Sequence, residues 1–371
     1  MLPIVPLRRT VEYRLDTASL APSLDGLERR RWLFENLPVD PVHADWFRRR
    51  AWIRTIHGTT KIEGNTLNDL EVEEALTESS ARFGRKDALE VLGSRAALEF
   101  VDQIAPDHDI VADEPVIREI HRGILEDIDP MLTPGSYRRG ENRVTDGTGR
   151  TIFTTPPSGD VPELMRKFGL WLRTEADVDV PATVRAALAH LEFVAIHPFY
   201  DGNGRTSRAI ARLLLTRHGY AFDGLVSMDG YLDLHRKEYF AAIAKTTRRE
   251  YRPGYDATPF VVFFLNALIG AADHALGRLR GLGHVMIAIR RDVTSGTLPP
   301  TLLDGLAYAW INHSIRPADY IRITGRPKQS ASRDLAIAER AGYLEGRGES
   351  RRRRYVVGPA LQSIQPKSFR D

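Results

Sequence analysis

The sequence contains no cysteine among its 371 residues. This absence excludes disulfide frameworks, thiolate catalysis and cysteine-ligated zinc, and it fits the cytoplasmic location that we expect. No run of apolar residues approaches about 18, so we expect no membrane span and no membrane partner. The first nine residues contain two prolines and no apolar segment followed by a cleavage site, which argues against a signal peptide.

A strong net charge is also lacking, because the formal charge is only +3. With 42% hydrophobic and 27% charged residues, the composition is typical of a globular protein. The charge is unevenly distributed, however. Residues 284–371 hold 15 basic and 8 acidic residues, a net charge of +7, which leaves about −4 for the remainder. The C-terminal segment is therefore expected to meet a polyanion or an acidic surface, although basic tails are often only solvated.

The most informative stretch lies between two apolar segments and reads HPFYDGNGRTSR at residues 197–208. The apolar positions on both sides predict a helix, a tight loop and a second helix. Gly202 and Gly204 flank Asn203 and permit close backbone approach, and the N–H groups that open the second helix point into the loop. The loop is therefore predicted to bind an anion such as phosphate.

The charged side chains of this stretch suit a polyphosphate. Arg205 and Arg208 are three residues apart, so they share a helix face and can both reach one ligand. Asp201 is the only carboxylate in the loop and suits Mg²⁺ shared with phosphates. His197, with an ordinary pKa of ~6.5, suits a general base. Singly, each feature more often marks a helix end or a turn, and their combination is what favours function.

The stretch matches the HPFx(D/E)GNGRxxR signature at every defining position, so the chain resembles the Fic family of protein adenylyltransferases over about residues 40–270. The resemblance implies a mainly α-helical bundle with a β-hairpin flap. It also implies transfer of AMP from ATP, with Mg²⁺ on Asp201 and His197 as base, to a Ser, Thr or Tyr hydroxyl of a target protein and of the chain itself. In this interpretation Asn203 lies near the α-phosphate. The residues implied for ATP in the stretch are Gly202, Asn203, Gly204, Arg205, Thr206, Ser207 and Arg208.

Glu63 lies four residues after Thr59 near the predicted end of a helix, where a carboxylate is disfavoured unless a cation faces it. An arbitrary glutamate is most often an exposed surface residue. The fragment TTKIEG at residues 59–64 nevertheless resembles the (S/T)xxxE(G/N) inhibitory motif of the family. The resemblance implies that Glu63 pairs with Arg208, obstructs the γ-phosphate and restrains the enzyme.

Two short β-type runs around a Gly-rich turn predict a hairpin near residues 144–154. From the residues alone, a surface excursion that binds nothing is equally compatible. The resemblance implies a flap that covers the nucleotide and aligns the target by strand addition, with Ile152, Phe153 and Thr154 near the substrate. The segment HRKEYF at residues 235–240 resembles the family's (K/R)xxYY stretch and implies adenine contact by Tyr239 or Phe240, although such aromatics more often lie in a core.

From about residue 281 a glycine-containing linker is predicted to lead into a separate C-terminal domain. Helix, helix, turn, helix and a basic hairpin over residues 284–371 are typical of a winged helix-turn-helix. Basic side chains there suit contacts with phosphate, but a protein partner is an equal alternative to DNA. The sequence also leaves open whether the chain forms a homodimer. The candidate nucleic-acid contacts are Lys328, Arg333, Arg347, Arg351 and Arg352.

The predicted organisation has three regions. Residues 1–85 form a helical region with the inhibitory motif, beginning with an extended arm over residues 1–22. Residues 86–280 form the catalytic core and residues 284–371 the winged domain. Three functional hypotheses follow: a protein adenylyltransferase, a DNA-binding regulator with a nucleotide-sensing core, and an enzyme of the same fold that removes AMP or transfers another phosphate-linked group.

Overall fold

The computed structural model describes residues 11–77, 83–128, 130–145, 147–173, 180–348 and 353–364. These residues are mainly α-helical, as predicted. The chain divides into two compact units, one of Met1–Asn36 with Trp52–Ala271 and the other of Leu37–Ala51 with Ala272–Asp371. The three regions expected from the sequence stay a prediction.

The helices and strands follow one another along the chain in this order. The helices are α1 (Ala21–Asn36), α2 (Pro41–Ile62), α3 (Asp69–Thr77), α4 (Arg85–Ile104), α5 (Glu114–Leu125), α6 (Val161–Arg173), α7 (Ala182–Ile196), α8 (Asn203–Arg217), α9 (Met228–Leu234), α10 (Arg236–Thr247), α11 (Thr258–Thr294), α12 (Leu303–Asn312), α13 (Pro317–Thr324), α14 (Lys328–Arg340) and α15 (Pro359–Ile364). The strands are β1 (Tyr13–Arg14), β2 (Arg143–Thr145), β3 (Thr151–Thr154), β4 (Tyr255–Asp256), β5 (Ser314–Ile315), β6 (Leu344–Arg347) and β7 (Arg354–Val357).

Helix α7 is the central helix of the first unit. Twelve of its fifteen side chains are buried, as expected for a helix that is apolar on all sides. Its alanines allow close packing against α8, and α4 and α5 also pack on α8. Because α7 ends inside this bundle, the loop between α7 and α8 is held by packed helices on several sides.

The extended arm predicted for residues 1–22 is wrong for the part that the structure describes after Asp16. A 3₁₀ turn at Thr17–Leu20 is capped by the Asp16 side chain and leads directly into α1. Before it, β1 pairs in parallel with β4, with Tyr13 opposite Tyr255. The helical turn forms because the Asp16 side chain accepts from the Ala18 N–H and Leu20 is buried, whereas the alternating burial of Val11, Tyr13 and Leu15 fits the extended segment before it.

The linker predicted near residue 281 is also wrong, because α11 continues without a break to Thr294. Glycine inside a helix costs about 1 kcal/mol relative to alanine, which is why the sequence suggested a break. At Gly281 the reason for the glycine is close packing. A Cβ built there would lie 3.0 Å from Trp310 Cη2, so a larger residue would force that ring away.

By length and composition, α11 could cross a membrane, since one 18-residue window has a mean hydropathy of 1.6. In that window 56% of the helix is buried, and Phe260, Phe264 and Leu268 belong to the core of the first unit. Core helices of soluble proteins pass the same test. The helix is therefore weak evidence for a membrane.

The second unit contains α12, α13 and α14 and a three-stranded sheet in the order β5-β7-β6. The Tyr320 hydroxyl donates to Asp334 at 2.9 Å and joins α13 to α14. The sequence predicted the three helices and the hairpin but missed β5 and α15. The side chains of Lys328, Arg333 and Arg347 are exposed, whereas Arg351 and Arg352 lie outside the described residues. The winged helix-turn-helix interpretation stays a prediction.

Candidate active site

The loop that joins α7 to α8 turns on two left-handed residues. His197 caps α7 with φ 51° and ψ 60°, and Gly202 precedes α8 with φ 76°. Glycine adopts this conformation without strain, but for histidine it is uncommon and persists only where the surroundings hold it. The His197 N–H donates to the Phe193 carbonyl at 3.0 Å, which places the ring at the end of the central helix.

The protonation of the His197 ring follows from its contacts. Nδ1 lies 3.2 Å from the Val194 carbonyl oxygen, which can only accept, so Nδ1 carries the hydrogen. In the neutral ring Nε2 therefore keeps its lone pair. Burial lowers the pKa of His197, and the charge of Arg138 lowers it further. The ring is consequently neutral near pH 7 and competent to accept a proton at Nε2.

Arg138 fixes the position of this histidine, and no sequence motif identified it. Its side chain is 2% exposed and donates from Nε to the His197 carbonyl at 2.9 Å. It also donates from Nη2 to the Pro156 carbonyl at 2.6 Å and from Nη1 to the Gly140 carbonyl at 3.2 Å. One buried guanidinium thus connects the loop between α7 and α8 with both ends of the β2-β3 hairpin. The contact joins residues 59 apart in sequence, so no spacing pattern could have revealed it.

His121 supports the other side of the loop and was also missed from the sequence. Its ring stacks on Phe199 at 3.5 Å. Nδ1 accepts from the Gly135 N–H at 2.9 Å, so Nε2 carries the hydrogen and donates to the Asp201 carbonyl at 3.0 Å. Burial lowers the pKa of His121 to about 4. The ring therefore stays neutral and acts as a hydrogen-bonded brace for the loop.

The Asn203 side chain closes the loop between α7 and α8, and its predicted place near the α-phosphate stays a prediction. Its Oδ1 accepts from the Phe199 N–H at 3.0 Å and its Nδ2 donates to the Phe199 carbonyl at 2.9 Å. The side chain therefore closes the loop, and its amide is engaged before any nucleotide arrives. Thr206 and Ser207 are completely buried, and the Ser207 hydroxyl donates to the Gly204 carbonyl at 2.8 Å. The N–H groups of the first turn of α8 have no acceptor within the helix and remain for an anion, whereas the Thr206 N–H already donates to the Gly202 carbonyl at 2.9 Å.

Arg205 is the clearest sign of an anion site. Its side chain is 3% exposed, and its Nε and Nη1 have no hydrogen-bond partner among the residues that the structure describes. Its Nη2 lies 3.7 Å from Asp201 Oδ2. Burying charged donors without partners is costly, because their hydration is lost. A phosphate at the start of α8 would supply the missing acceptors.

Arg208, by contrast, is engaged through Nε and Nη2 by the N-terminal part of the chain. Its Nη2 donates to Glu63 Oε1 at 2.8 Å and to the Thr59 carbonyl at 2.9 Å, and its Nε donates to Thr59 Oγ1 at 2.9 Å. Burial opposes its charge, but the interactions with Glu63, Tyr239 and Asp229 outweigh burial and raise the pKa of Arg208. The predicted pairing of Glu63 with Arg208 is therefore present.

The Glu63 carboxylate also lies directly over the start of α8. A Cβ built on Gly204 would come within 2.2 Å of Glu63 Oε1. The carboxylate and a phosphate would thus compete for the same space and for the same guanidinium. This geometry is what an inhibitory role requires, and the role itself stays a prediction.

Asp201 is the candidate ligand for Mg²⁺. Its Oδ1 accepts from the Gly202 N–H at 2.6 Å, and its side chain is 51% exposed, so carboxylate oxygen faces the solvent of the site. No group of three or more histidine or acidic side chains able to hold a metal occurs in the described ranges. A single carboxylate fits Mg²⁺, which commonly takes one or two protein carboxylates together with substrate phosphates and water.

The predicted hairpin is present as the antiparallel pair β2 and β3, with Val144 opposite Phe153. A bulge beside Thr145 interrupts the register. Ile152 is 47% exposed, whereas Phe153 is buried. The outer edge of Thr154 is already used, because its N–H donates to the Arg249 carbonyl at 2.8 Å and its carbonyl accepts from the Tyr251 N–H at 3.0 Å. Only the part of the edge near Ile152 is therefore left for strand addition.

The two candidate adenine contacts differ in exposure. Tyr239 is 1% exposed, and its hydroxyl lies 2.8 Å from His190 Nε2 inside the bundle. Phe240 is 44% exposed. Tyr239 is thus a core residue that offers no face to a nucleotide, and Phe240 remains the candidate of the two.

A family model and two curated relatives that this chain matches all belong to the Fic family. Residues 112–215 match the model of the Fic/DOC family. The chain is 35% identical over 215 residues to protein adenylyltransferase Fic of Drosophila ananassae. The aligned region covers 56% of this chain and 41% of that protein. It is 29% identical over 293 residues to protein adenylyltransferase Fic of Culex quinquefasciatus. That aligned region covers 77% of this chain and 55% of the relative. The chain thus spans about half the length of these curated relatives.

Solved structures share the fold. A Fic family protein from Desulfovibrio desulfuricans G20 is 21% identical with a TM-score of 0.57, over 93% of this chain and 97% of that one. A Fic domain containing signaling protein from Bacteroides thetaiotaomicron is 25% identical with a TM-score of 0.59, over 70% and 97%. The first of these similarities concerns the fold alone.

Proposed function

We propose, from the Fic domain that residues 112–215 form, that this chain is a protein adenylyltransferase. It transfers AMP from ATP to a Ser, Thr or Tyr hydroxyl of a target protein and of the chain itself. The observation that carries this proposal is Arg205, a buried guanidinium with two unsatisfied nitrogens beside the start of α8. His197, with its lone pair at Nε2, lies in the same loop.

The chemistry assigned to the chain's own residues is a single displacement. His197 Nε2 accepts the proton of the target hydroxyl, and the hydroxyl oxygen forms a bond to the α-phosphorus of ATP. The bond from that phosphorus to the bridging oxygen breaks, and pyrophosphate leaves. Arg205 and the N–H groups that begin α8 stabilise the negative charge of the leaving phosphates. Asp201 would hold Mg²⁺, which supplies further charge neutralisation.

Arg205 supplies a direct test of nucleotide binding. In the Glu63→Gly background, Arg205→Met should weaken ATP binding roughly 10-fold or more, because a charge-assisted hydrogen bond contributes about 1.5–3 kcal/mol. Isothermal titration calorimetry would measure the dissociation constant. Arg166→Met, which removes an exposed arginine on α6, should leave it unchanged. Equal ATP affinity in the Arg205 and Arg166 variants would contradict the anion site.

The pH dependence of transfer tests the state of His197. The base is active when neutral, and burial lowers its pKa, so the neutral form persists below the ordinary value of ~6.5. We expect the transfer rate to stay near its maximum at pH 6.5 and to decline only at more acidic pH. A rate measurement from pH 5 to pH 8 with labelled ATP would check this. A half-maximal rate at or above pH 7 would contradict a neutral buried base.

A second candidate function concerns the second unit. Lys328 and Arg333 are exposed along α14, and Arg347 is exposed on β6. These side chains favour a DNA-binding regulator built on a winged helix-turn-helix. Gel-shift measurements across a salt series would test this function, because phosphate contacts predict a steep loss of affinity with salt. Absence of a shift at low salt would contradict it.

A further inference from the structure

The flap is tied to the catalytic loop on one side and to a basic segment on the other. Arg138 donates to both the His197 and the Pro156 carbonyls, so the end of the flap lies within the reach of one guanidinium from His197. Two residues earlier, Thr154 exchanges hydrogen bonds with Arg249 and Tyr251. The segment at residues 248–252 is therefore an extension of the flap edge, and Arg138 ties the end of that flap to the loop that carries His197.

This segment lines a cleft of about 640 Å³ that carries excess positive charge. Five cationic side chains face two carboxylates. The carboxylates are already engaged, because Asp256 caps α11 through the Thr258 N–H and Glu250 pairs with Arg252, so Arg252 is also engaged. We call this surface the basic cleft, and its cationic residues are Arg14, Lys245, Arg248, Arg249 and Arg252.

The cleft is built on a rigid frame. Arg248 ends α10 with φ 60° and ψ −128°, a conformation that is strained for a residue with a side chain and that clusters at functional sites. The strained turn directs the chain toward Thr154. Behind it, the hydroxyls of Tyr251 and Tyr255 both donate to the buried carboxylate of Glu192. Glu192 belongs to α7, so the cleft and His197 share one supporting helix.

We propose that the basic cleft binds an acidic segment of the target protein that adjoins the modified hydroxyl. A target chain that pairs with the flap near Ile152 must continue past Arg248 and Arg249, because the strand position beside Thr154 is already occupied. Carboxylates in that part of the target would meet several guanidinium and ammonium groups within one cleft. The proposal rests on the proposed function and specifies the charge of the substrate sequence.

Direct binding tests the cleft without any need for catalysis. Fluorescence anisotropy at low salt would measure the affinities of two fluorescein-labelled peptides, each with a single threonine. In one peptide glutamates flank the threonine, and in the other glutamines do. We expect the glutamate peptide to bind at least 5-fold more tightly, and we expect this preference to shrink as salt rises. In Lys245→Glu/Arg249→Glu the preference should disappear, and in Lys245→Gln/Arg249→Gln it should fall to an intermediate value.

A matched control separates the cleft from general surface charge. Arg29→Glu/Lys86→Glu reverses two exposed cations on α1 and α4 and should keep the preference. Equal affinity for both peptides, or equal loss in both charge-reversed proteins, would overturn the proposal. An unchanged midpoint of thermal unfolding in each variant would show that these substitutions of exposed residues leave the fold intact.

A transfer assay with the same peptides tests the proposed transfer activity separately from binding at the basic cleft. With Glu63→Gly protein and labelled ATP, AMP should appear faster on the glutamate peptide. Tighter binding of that peptide without AMP on either peptide would overturn the proposed function and retain the cleft. AMP on both peptides at equal rates, with equal affinities, would retain the function and overturn the cleft.

Discussion

His197→Ala is expected to lower the rate of AMP transfer by roughly 10²–10⁴-fold, the usual contribution of a positioned general base. The variant removes Nε2, which carries the lone pair because Nδ1 donates to the Val194 carbonyl. ATP binding should be largely spared, since Arg205 and the N–H groups of α8 are unchanged. Labelled ATP and single-turnover kinetics would measure the rate, and calorimetry would measure binding.

His218→Ala is a matched control for this experiment, because it removes an exposed histidine from the end of α8. Its transfer rate should equal that of the wild type. The backbone at position 197 is left-handed, and alanine in that conformation can destabilise the fold. The midpoint of thermal unfolding of His197→Ala must therefore be compared with that of the wild type. If labelled AMP still accumulated on protein in a folded His197→Ala variant, His197 would not be the base.

Glu63→Gly is expected to raise self-modification several-fold. The substitution removes the carboxylate that pairs with Arg208 and that lies over Gly204. Arg208 would then be available to phosphate oxygens, and the start of α8 would be open. Labelling with radioactive ATP, compared with the wild type at equal protein concentration, would measure the change.

Two further variants assign this effect to the carboxylate. Glu63→Gln keeps the size of the side chain without its charge and should give a rate between those of the wild type and Glu63→Gly. Lys61→Gly introduces glycine into the last turn of α2 and should leave the rate near that of the wild type. Equal or lower labelling in Glu63→Gly would show that the glutamate does not restrain the site.

The part of the site that the sequence predicts is the part encoded within short stretches. The order of helix, loop and helix around residues 197–208 follows from local apolar periodicity and two glycines. The Glu63–Arg208 pair, although 145 residues apart, was reached through the resemblance of two motifs. The hairpin was predicted because its turn residues are local.

The features that the sequence did not predict depend on the packing of distant segments. Arg138 lies outside any motif, and only the fold brings its guanidinium to the His197 carbonyl. The hydrogen bonds of the Asn203 amide to Phe199 were not predicted, because the sequence cannot show how the loop closes. The break predicted at Gly281 failed for a related reason, since the nearby ring of Trp310 explains the glycine.

The most direct test of the central claim is intact-protein mass spectrometry after incubation with ATP and Mg²⁺. It would compare wild type, Glu63→Gly and Glu63→Gly/His197→Ala. We predict an added AMP on Glu63→Gly, less on the wild type and none on the double variant. No added mass on any of the three, or a mass that corresponds to another phosphate-linked group, would contradict protein adenylylation restrained by Glu63 and catalysed by His197.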